Sequence, residues 1–240
     1  PPRPPQPRGF TVGEVREFIK DPFARPYLPG SSVKGMLRTA LAVYLARAAK
    51  VDALDLALAN TRDGRPPKRE WAFQPAGRKL FGDKVIEDVL KALVVRDSEP
   101  LDIGQGFAVT QVVIMNTYNN RFQEKRGVPI HVESLMPGRA VNVPFYIDRY
   151  RLREDRKLGD ALKGLTRDTL GQPDRLMAAL KAMSDDLIRY EVAFYQQKGE
   201  QRVNRFFDGL AREAGIHLPL GFGTGWHAKT VGLTMDDGSI

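Results

Sequence analysis

Residues 26–50, PYLPGSSVKGMLRTALAVYLARAAK, constrain the fold more than any other segment. Prolines up to position 29 exclude a helix interior or a central strand; beyond them Val33, Leu37, Ala40, Leu41, Tyr44, Leu45 and Ala48 recur at helical spacing. A helix of about four turns therefore starts at a fixed point, with Ser31 or Ser32 expected as its N-cap. Its first free N–H groups, the two hydroxyls and the missing side chain at Gly30 would cradle an anion. Lys34 and Arg38, at i and i+4, project from one side beside the apolar stripe. Gly35 costs about 1 kcal/mol of helix propensity against Ala, which predicts a close neighbour against that backbone. A plain Ser-capped helix with two solvated cations fits the same residues, and the segment alone does not choose.

Around this helix the pattern alternates. TVGEVREFIK at 11–20 reads as a short helix broken at Asp21-Pro22, and the preceding PPRPPQPR is a basic, Pro-rich entry. That entry and the closing LTMDDGSI read as ends from which chain is missing. Residues 60–70 form a polar loop. Strands are predicted near 92–97, 107–115, 128–136 and 140–148, the last two joined as a hairpin at Met136-Pro137-Gly138. Helical spacing returns over 174–183 and 185–214, with Gly215 as a C-cap. This order is that of an α+β, ferredoxin-like (RRM-like) unit lacking its first strand, mostly antiparallel with helices on one face. The expected organisation is an entry segment over 1–25 and a module over 26–240 with a sub-boundary near 98–106. No period of 20 to 50 residues repeats.

Charge narrows the partner. The chain has 240 residues and a formal net charge of +8. Residues 1–50 hold nine bases against three acids, which is +6 of that total and predicts a local surface for a phosphate-rich partner. With no cysteine there is no disulfide, thiolate metal site or thiol nucleophile, and His131, His217 and His227 lack metal-ligand spacing. No metal or cofactor is expected. No membrane span or signal peptide is evident, so an intracellular, cytoplasmic protein is expected. Adjacent carboxylates at Asp185-Asp186 and Asp236-Asp237 do not face one another, and Asp97 reads as a turn residue.

A second candidate site is LGFGTGWHAKT, 220–230. Gly221, Gly223 and Gly225 permit positive φ and close approach to a phosphodiester, Trp226 offers a stacking face, and Lys229 a charge. His227 and Thr230 lie in the same loop. Gly223 to Thr230 departs from a Walker A loop only at Ala228, but the loop leaves a helix and enters a predicted short strand, Thr230 to Leu233, the reverse of a Walker A context. A glycine-rich turn with Trp226 in the core also fits. Arg121, Lys125 and Arg126, with Phe122 interleaved, read as a basic loop, either simply solvated or of the kind single-strand binders use.

PYLPGSSVKGMLRTAL at 26–41, LFGD at 80–83, VVRDSEPL at 94–101, HVESLMPG at 131–138 and LGFGTGWHAKTVG at 220–232 together resemble the RAMP proteins of type III CRISPR effector complexes, most of all the fifth-subunit family of the Csm (type III-A) complex. The resemblance implies a ferredoxin-like RAMP fold and a non-catalytic protein that holds guide RNA. It implies a cap on the guide's 3′ region beside the repeated backbone subunit of the complex, and help to host nucleases in guide maturation for antiviral defence. Carried over, Gly30, Ser31, Ser32, Lys34, Gly35 and Arg38 would be one RNA contact, and Gly221, Gly223, Gly225, Trp226, Lys229 and Thr230 another. The family's N-terminal strand has no counterpart here. The competing expectations are a metal-independent repeat endoribonuclease using His227 or His131 as general base with Lys229 stabilising charge, and a sibling RAMP subunit of a Csm or Cmr complex.

Overall fold

A computed structural model describes residues 14–51, 74–118, 121–125, 130–155, 158 and 161–234. The PPRPPQPR entry, the 60–70 loop, Arg126 and Asp236-Asp237 lie outside the described residues. In chain order the elements are β1 (Val15–Arg16), α1 (Gly30–Ala48), α2 (Gln74–Phe81), β2 (Leu93–Val95), α3 (Ile103–Gly106), β3 (Phe107–Val112), β4 (Met115–Tyr118) and β5 (Arg121–Glu124). They continue with β6 (Ile130–Leu135), β7 (Phe145–Ile147), α4 (Arg149–Glu154), α5 (Leu165–Gly171), α6 (Pro173–Gln197) and α7 (Gln201–Arg212). Short 3₁₀ turns occupy Val85–Glu87, Val89–Ala92, His227–Lys229 and Gly232–Thr234, among others. None of the described helices is long and apolar enough to cross a membrane.

The chain divides into two units, each discontinuous in sequence: residues up to 28 with 99–142, and 29–98 with 143 onward. In the first, β6 is central. It pairs antiparallel with β3, from Phe107↔Leu135 to Val112↔Ile130, and parallel with β1 at Val15↔His131. Edge-to-face packing of Phe18 on Phe107 at 5.1 Å, and Glu133 accepting from the Phe18 amide and pairing with Lys20 at 2.9 Å, tie the segment after β1 to the sheet. Within the stretch expected as a helix over 11–20, Val15 and Arg16 are instead a short strand and the described residues around them are not helical: pairing with a distant strand outweighs the local pattern. β4 and β5 form a hairpin, Met115↔Glu124 to Tyr118↔Arg121.

The second unit holds the hydrophobic core. Between Leu37 and Ala46, α1 buries Leu37, Ala40, Leu41, Ala42, Val43, Leu45 and Ala46. These meet Leu176, Ala179, Leu180 and Met183 of α6, with Leu80, Phe81, Leu90, Leu93 and Leu170 completing the cluster. Small Ala40 and Ala179, both fully buried, allow close helix approach. Buried hydroxyls are satisfied: Thr166 donates to the Leu80 carbonyl at 2.8 Å, and Ser184 accepts from the His217 amide at 2.8 Å. Arg47 of α1 pairs with Asp186 of α6 and donates to the Leu233 carbonyl at 2.6 Å.

Three sequence expectations change here. β2 pairs antiparallel with β7, Leu93↔Ile147 to Val95↔Phe145, so the segments expected as one hairpin across Met136–Gly138 join different sheets. The turn itself forms, with Gly138 at φ 80. The helices beyond residue 165 run 165–171, 173–197 and 201–212, interrupted at Gly199 with φ 71, and end before Gly215. The described strands form sheets of three, two and two strands, mixed with helices.

Candidate functional site

α1 starts two residues or more before the point its serines suggest. Pro29 is the N-cap and makes no side-chain cap bond. The Gly30 amide instead donates to Asp97 Oδ1 at 2.7 Å, so a carboxylate 67 positions away takes the place at the helix N-terminus where an external anion was expected. Gly30 is also where close packing occurs. A Cβ there would lie 2.5 Å from the Val95 carbonyl oxygen and 2.6 Å from Arg96 backbone atoms. Gly35, expected to touch a neighbour, meets nothing within 4 Å.

Lys34 and Arg38 do share a face, but it is half-buried and both cations are engaged within the protein. Lys34 Nζ donates to the Leu93 carbonyl at 2.6 Å, and burial, aided by Arg38 and Arg151, pushes its ammonium pKa down against the pull of Asp88. Arg38 pairs with Asp88 Oδ2 at 2.7 Å and lies 4.3 Å over the Phe81 ring. Both cations seat α1 against the 88–93 segment.

The other face of α1 borders a groove of about 450 Å³. Ser32, Gly35, Met36 and Thr39, at helical spacing, line one side; Pro219, Leu220, Gly221, Thr224, Ala228 and Lys229 line the other. Thus the two motifs singled out in the sequence face each other across one cavity. Its lining combines hydroxyls, an apolar floor at Met36 and Leu220, and the exposed Lys229. Gly221, Gly223 and Gly225 have φ of 101°, 77° and 80°, and a Cβ at any of them would meet nothing within 4 Å. They are glycines for conformation and not for close packing, and of the three Gly221 lines the groove.

The end of the loop is structural. Residues 227–229 and 232–234 are 3₁₀ turns, not the expected strand, and Thr230, buried, accepts from the Gly232 amide at 3.0 Å. Trp226 is half-exposed and rests its six-membered ring on Gly232, where a side chain would collide with it. His227 lies 3.9 Å from the Tyr190 ring and edge-on to Trp226 at 4.8 Å, and its Nδ1 is buried without a hydrogen-bond partner. Burial pushes its imidazole pKa down. The unfolded chain then binds a proton below about pH 6.5 that the folded chain resists, so stability is full above that value and falls as pH drops toward the folded pKa. His227→Phe is expected to flatten part of this acid-side loss, read as melting temperature between about pH 7 and pH 5; an unchanged slope would contradict it.

Lys125 and Phe122 belong to the other unit, at the β4–β5 hairpin, as does the Arg121 backbone. Sequence reasoning missed Asp97, Met36, Thr39 and Thr224. The first was masked by its distance along the chain; the next two were available from the i, i+4, i+7 spacing that starts at Ser32.

The RAMP superfamily pattern matches residues 9–227. The CRISPR system Cms protein Csm5 of Mycobacterium tuberculosis H37Rv is 24% identical over 232 residues, covering 95% of this chain and 55% of the relative. Csm5 of Streptococcus thermophilus is 31% identical over 126 residues, 52% of this chain and 32% of the relative. A chain of the cryo-EM Csm–crRNA–target RNA ternary complex of a type III-A CRISPR-Cas system superposes with a TM-score of 0.68 at 29% identity, covering 93% of this chain and 64% of that one. The crystal structure of T. onnurineus Csm5 gives 0.66 at 28% identity, with 91% and 67% covered. The chain spans about half the length of the M. tuberculosis relative. With a family match across about nine-tenths of its length, and relatives that are Csm5 proteins, this chain belongs to the RAMP superfamily.

Proposed function

We propose that the chain is a non-catalytic RNA-binding subunit of a type III-A CRISPR ribonucleoprotein, lying on the 3′ region of the guide RNA and assisting guide maturation and antiviral defence in the cytoplasm. Its partners in this reading are the guide, the adjacent repeated backbone subunit and host nucleases. The finer fold reading goes with it: a ferredoxin-like RAMP module over 26–240, entered by the basic segment 1–25, and supported by α1 and α6 packing together with β2 against the start of α1.

The observation that carries the reading is the groove between the first turns of α1 and the glycine loop. Guide RNA is a chain of phosphates and unstacked bases. Of its lining, Ser32, Thr224 and Lys229 suit the first, and Met36 and Leu220 the second; the half-exposed Trp226, outside the lining but in the same loop, adds a stacking face. Ser31, exposed beside Ser32, extends the polar rim. In this reading Lys34 and Arg38 position α1, and Lys229 supplies the phosphate contact. In this reading the sequence stretch that carries Arg121, Lys125 and Arg126 supplies a separate basic contact.

The test is salt-dependent binding of labelled guide RNA to purified chain. Lys229→Ala is expected to weaken binding about three- to tenfold and to reduce the log–log salt slope by about 1. Lys34→Ala is expected to lower melting temperature while leaving the slope unchanged. An unaltered slope in Lys229→Ala, or discrete metal-independent cleavage products, would overturn the reading.

A further inference from the structure

Within the second unit, a file of packed rings joins the glycine loop to a second cavity. Trp226 meets His227 edge-on at 4.8 Å, and His227 lies 3.9 Å from Tyr190. Tyr190 stacks on Phe194 at 6.1 Å, and Phe194 meets Tyr195 edge-on at 5.1 Å. Phe207 of α7 backs Tyr195, nearly parallel to it at 5.8 Å. Tyr190, Phe194 and Tyr195 follow Ile188, the last buried residue of α6, so they lie where that helix leaves the core. Ring-on-ring packing holds Tyr195 in place relative to the loop that borders the groove.

At Tyr195 the corner between α6 and α7 opens a cavity of about 230 Å³, lined by Tyr195, Gln196, Gly199, Gln201, Asn204 and Arg205. Asn204 is committed to the fold, its Nδ2 donating to the Val192 carbonyl at 2.8 Å. The Gln196 and Gln201 amides have no hydrogen-bond partner among the described residues, and Arg205 engages only Nε, on the Gln201 carbonyl at 3.3 Å. The cavity therefore offers two amides, the remaining guanidinium donors and one aromatic wall. Its occupant should be neutral. Burial, with Glu191 and Glu200 close by, pushes the Tyr195 phenol pKa up, and the same carboxylates would repel a phosphate. The cavity is also smaller than the roughly 300–1,000 Å³ of sites for drug-sized ligands, which leaves room for a single ring system. A planar, neutral ring with donors and acceptors along its edge is a nucleobase, and single-stranded RNA presents such bases unstacked.

We propose that the cavity at the α6–α7 corner takes one unstacked base of the RNA that lies in the groove, with Gln196, Gln201 and Arg205 hydrogen-bonding its edge and Tyr195 as its wall. This deepens the RNA-binding reading and rests on it. The test scans the guide: labelled guide RNAs, each with one abasic nucleotide, are titrated against the purified chain and against Gln196→Ala/Gln201→Ala. Both glutamines are exposed, so the variant should keep the wild-type melting temperature. It is expected to bind intact guide about tenfold more weakly with an unchanged salt slope, unlike Lys229→Ala, because no charge is removed. One abasic position should cost the wild type a similar factor and cost the variant nothing further, the mark of a shared contact. Losses that add at every position, or undiminished affinity of the variant for intact guide, overturn the base pocket and leave the groove reading standing. Failure of the wild-type chain to bind intact guide overturns the RNA-binding reading, and the pocket with it.

Discussion

Gly30→Ala is expected to destabilise the chain by about 2–3 kcal/mol, a fall in melting temperature of about 6–10 °C, whereas Gly35→Ala in the same helix should stabilise it by about 1 kcal/mol. The signs differ because the neighbours differ. At Gly30 the new methyl would sit 2.5 Å from the Val95 carbonyl oxygen and 2.6 Å from Arg96 backbone atoms, none of which can rotate away. Relief requires β2 to move off the start of α1, breaking the 2.7 Å bond between the Gly30 amide and Asp97 as well. At Gly35 nothing lies within 4 Å, so the substitution only improves helix propensity. Chemical denaturation of both variants checks the pair, and a neutral or stabilising Gly30→Ala would show that β2 does not seat on the helix as described. Gly35 also lines the groove, so its stabilised variant should bind RNA more weakly, the usual trade between stability and an open site.

The largest effect on binding is expected from replacing Gly221, Gly223 and Gly225 together by alanine. Their φ values of 101°, 77° and 80° are each disfavoured by about 1–2 kcal/mol once a Cβ is present. No added Cβ meets an atom within 4 Å, so the cost is conformational and the loop can relax without disturbing the core. Guide RNA would then have to restore the native loop on binding, and affinity should drop at least about 100-fold, while melting temperature changes by only a few degrees. Equilibrium binding at fixed salt beside a thermal melt separates the two effects. Retained affinity in the triple variant would remove the glycine loop from the RNA contact.

What could be read from the sequence was what depends on near neighbours. The positive φ values of the glycine loop follow from glycine at alternate positions, and the length of α1 follows from the apolar spacing between Val33 and Ala48. Which face of α1 borders the groove did not follow. Lys34 and Arg38 look like phosphate ligands in a linear reading, yet the acceptors that claim them, the Leu93 carbonyl and Asp88, lie 50 or more positions along the chain. The cap at Gly30 hides for the same reason: Asp97 is a turn former by local signal and a helix cap by tertiary placement. Strand pairing was the least legible. Gly138 makes its turn, but β6 answers to β3 and β7 to β2, because register is decided by which partner a face can bury against. The β4–β5 hairpin had a usable signal in Asn119-Asn120, between two runs of alternating character.

The interrupted course of both units also sets a timetable for synthesis. α1 is finished at Ala48, but its apolar surface is covered by α6, whose Leu187 is made about 140 residues later. At ordinary translation rates of about 5–20 residues per second, a growing chain carries that uncovered helix for roughly ten seconds. For the earlier part of that interval, until Leu135 is made, β1 also waits for β6. Newly made chain is then at its greatest risk of sticking to its own kind, and slower production, or a chaperone that shields α1, should raise the yield of soluble protein more than any change to the finished surface.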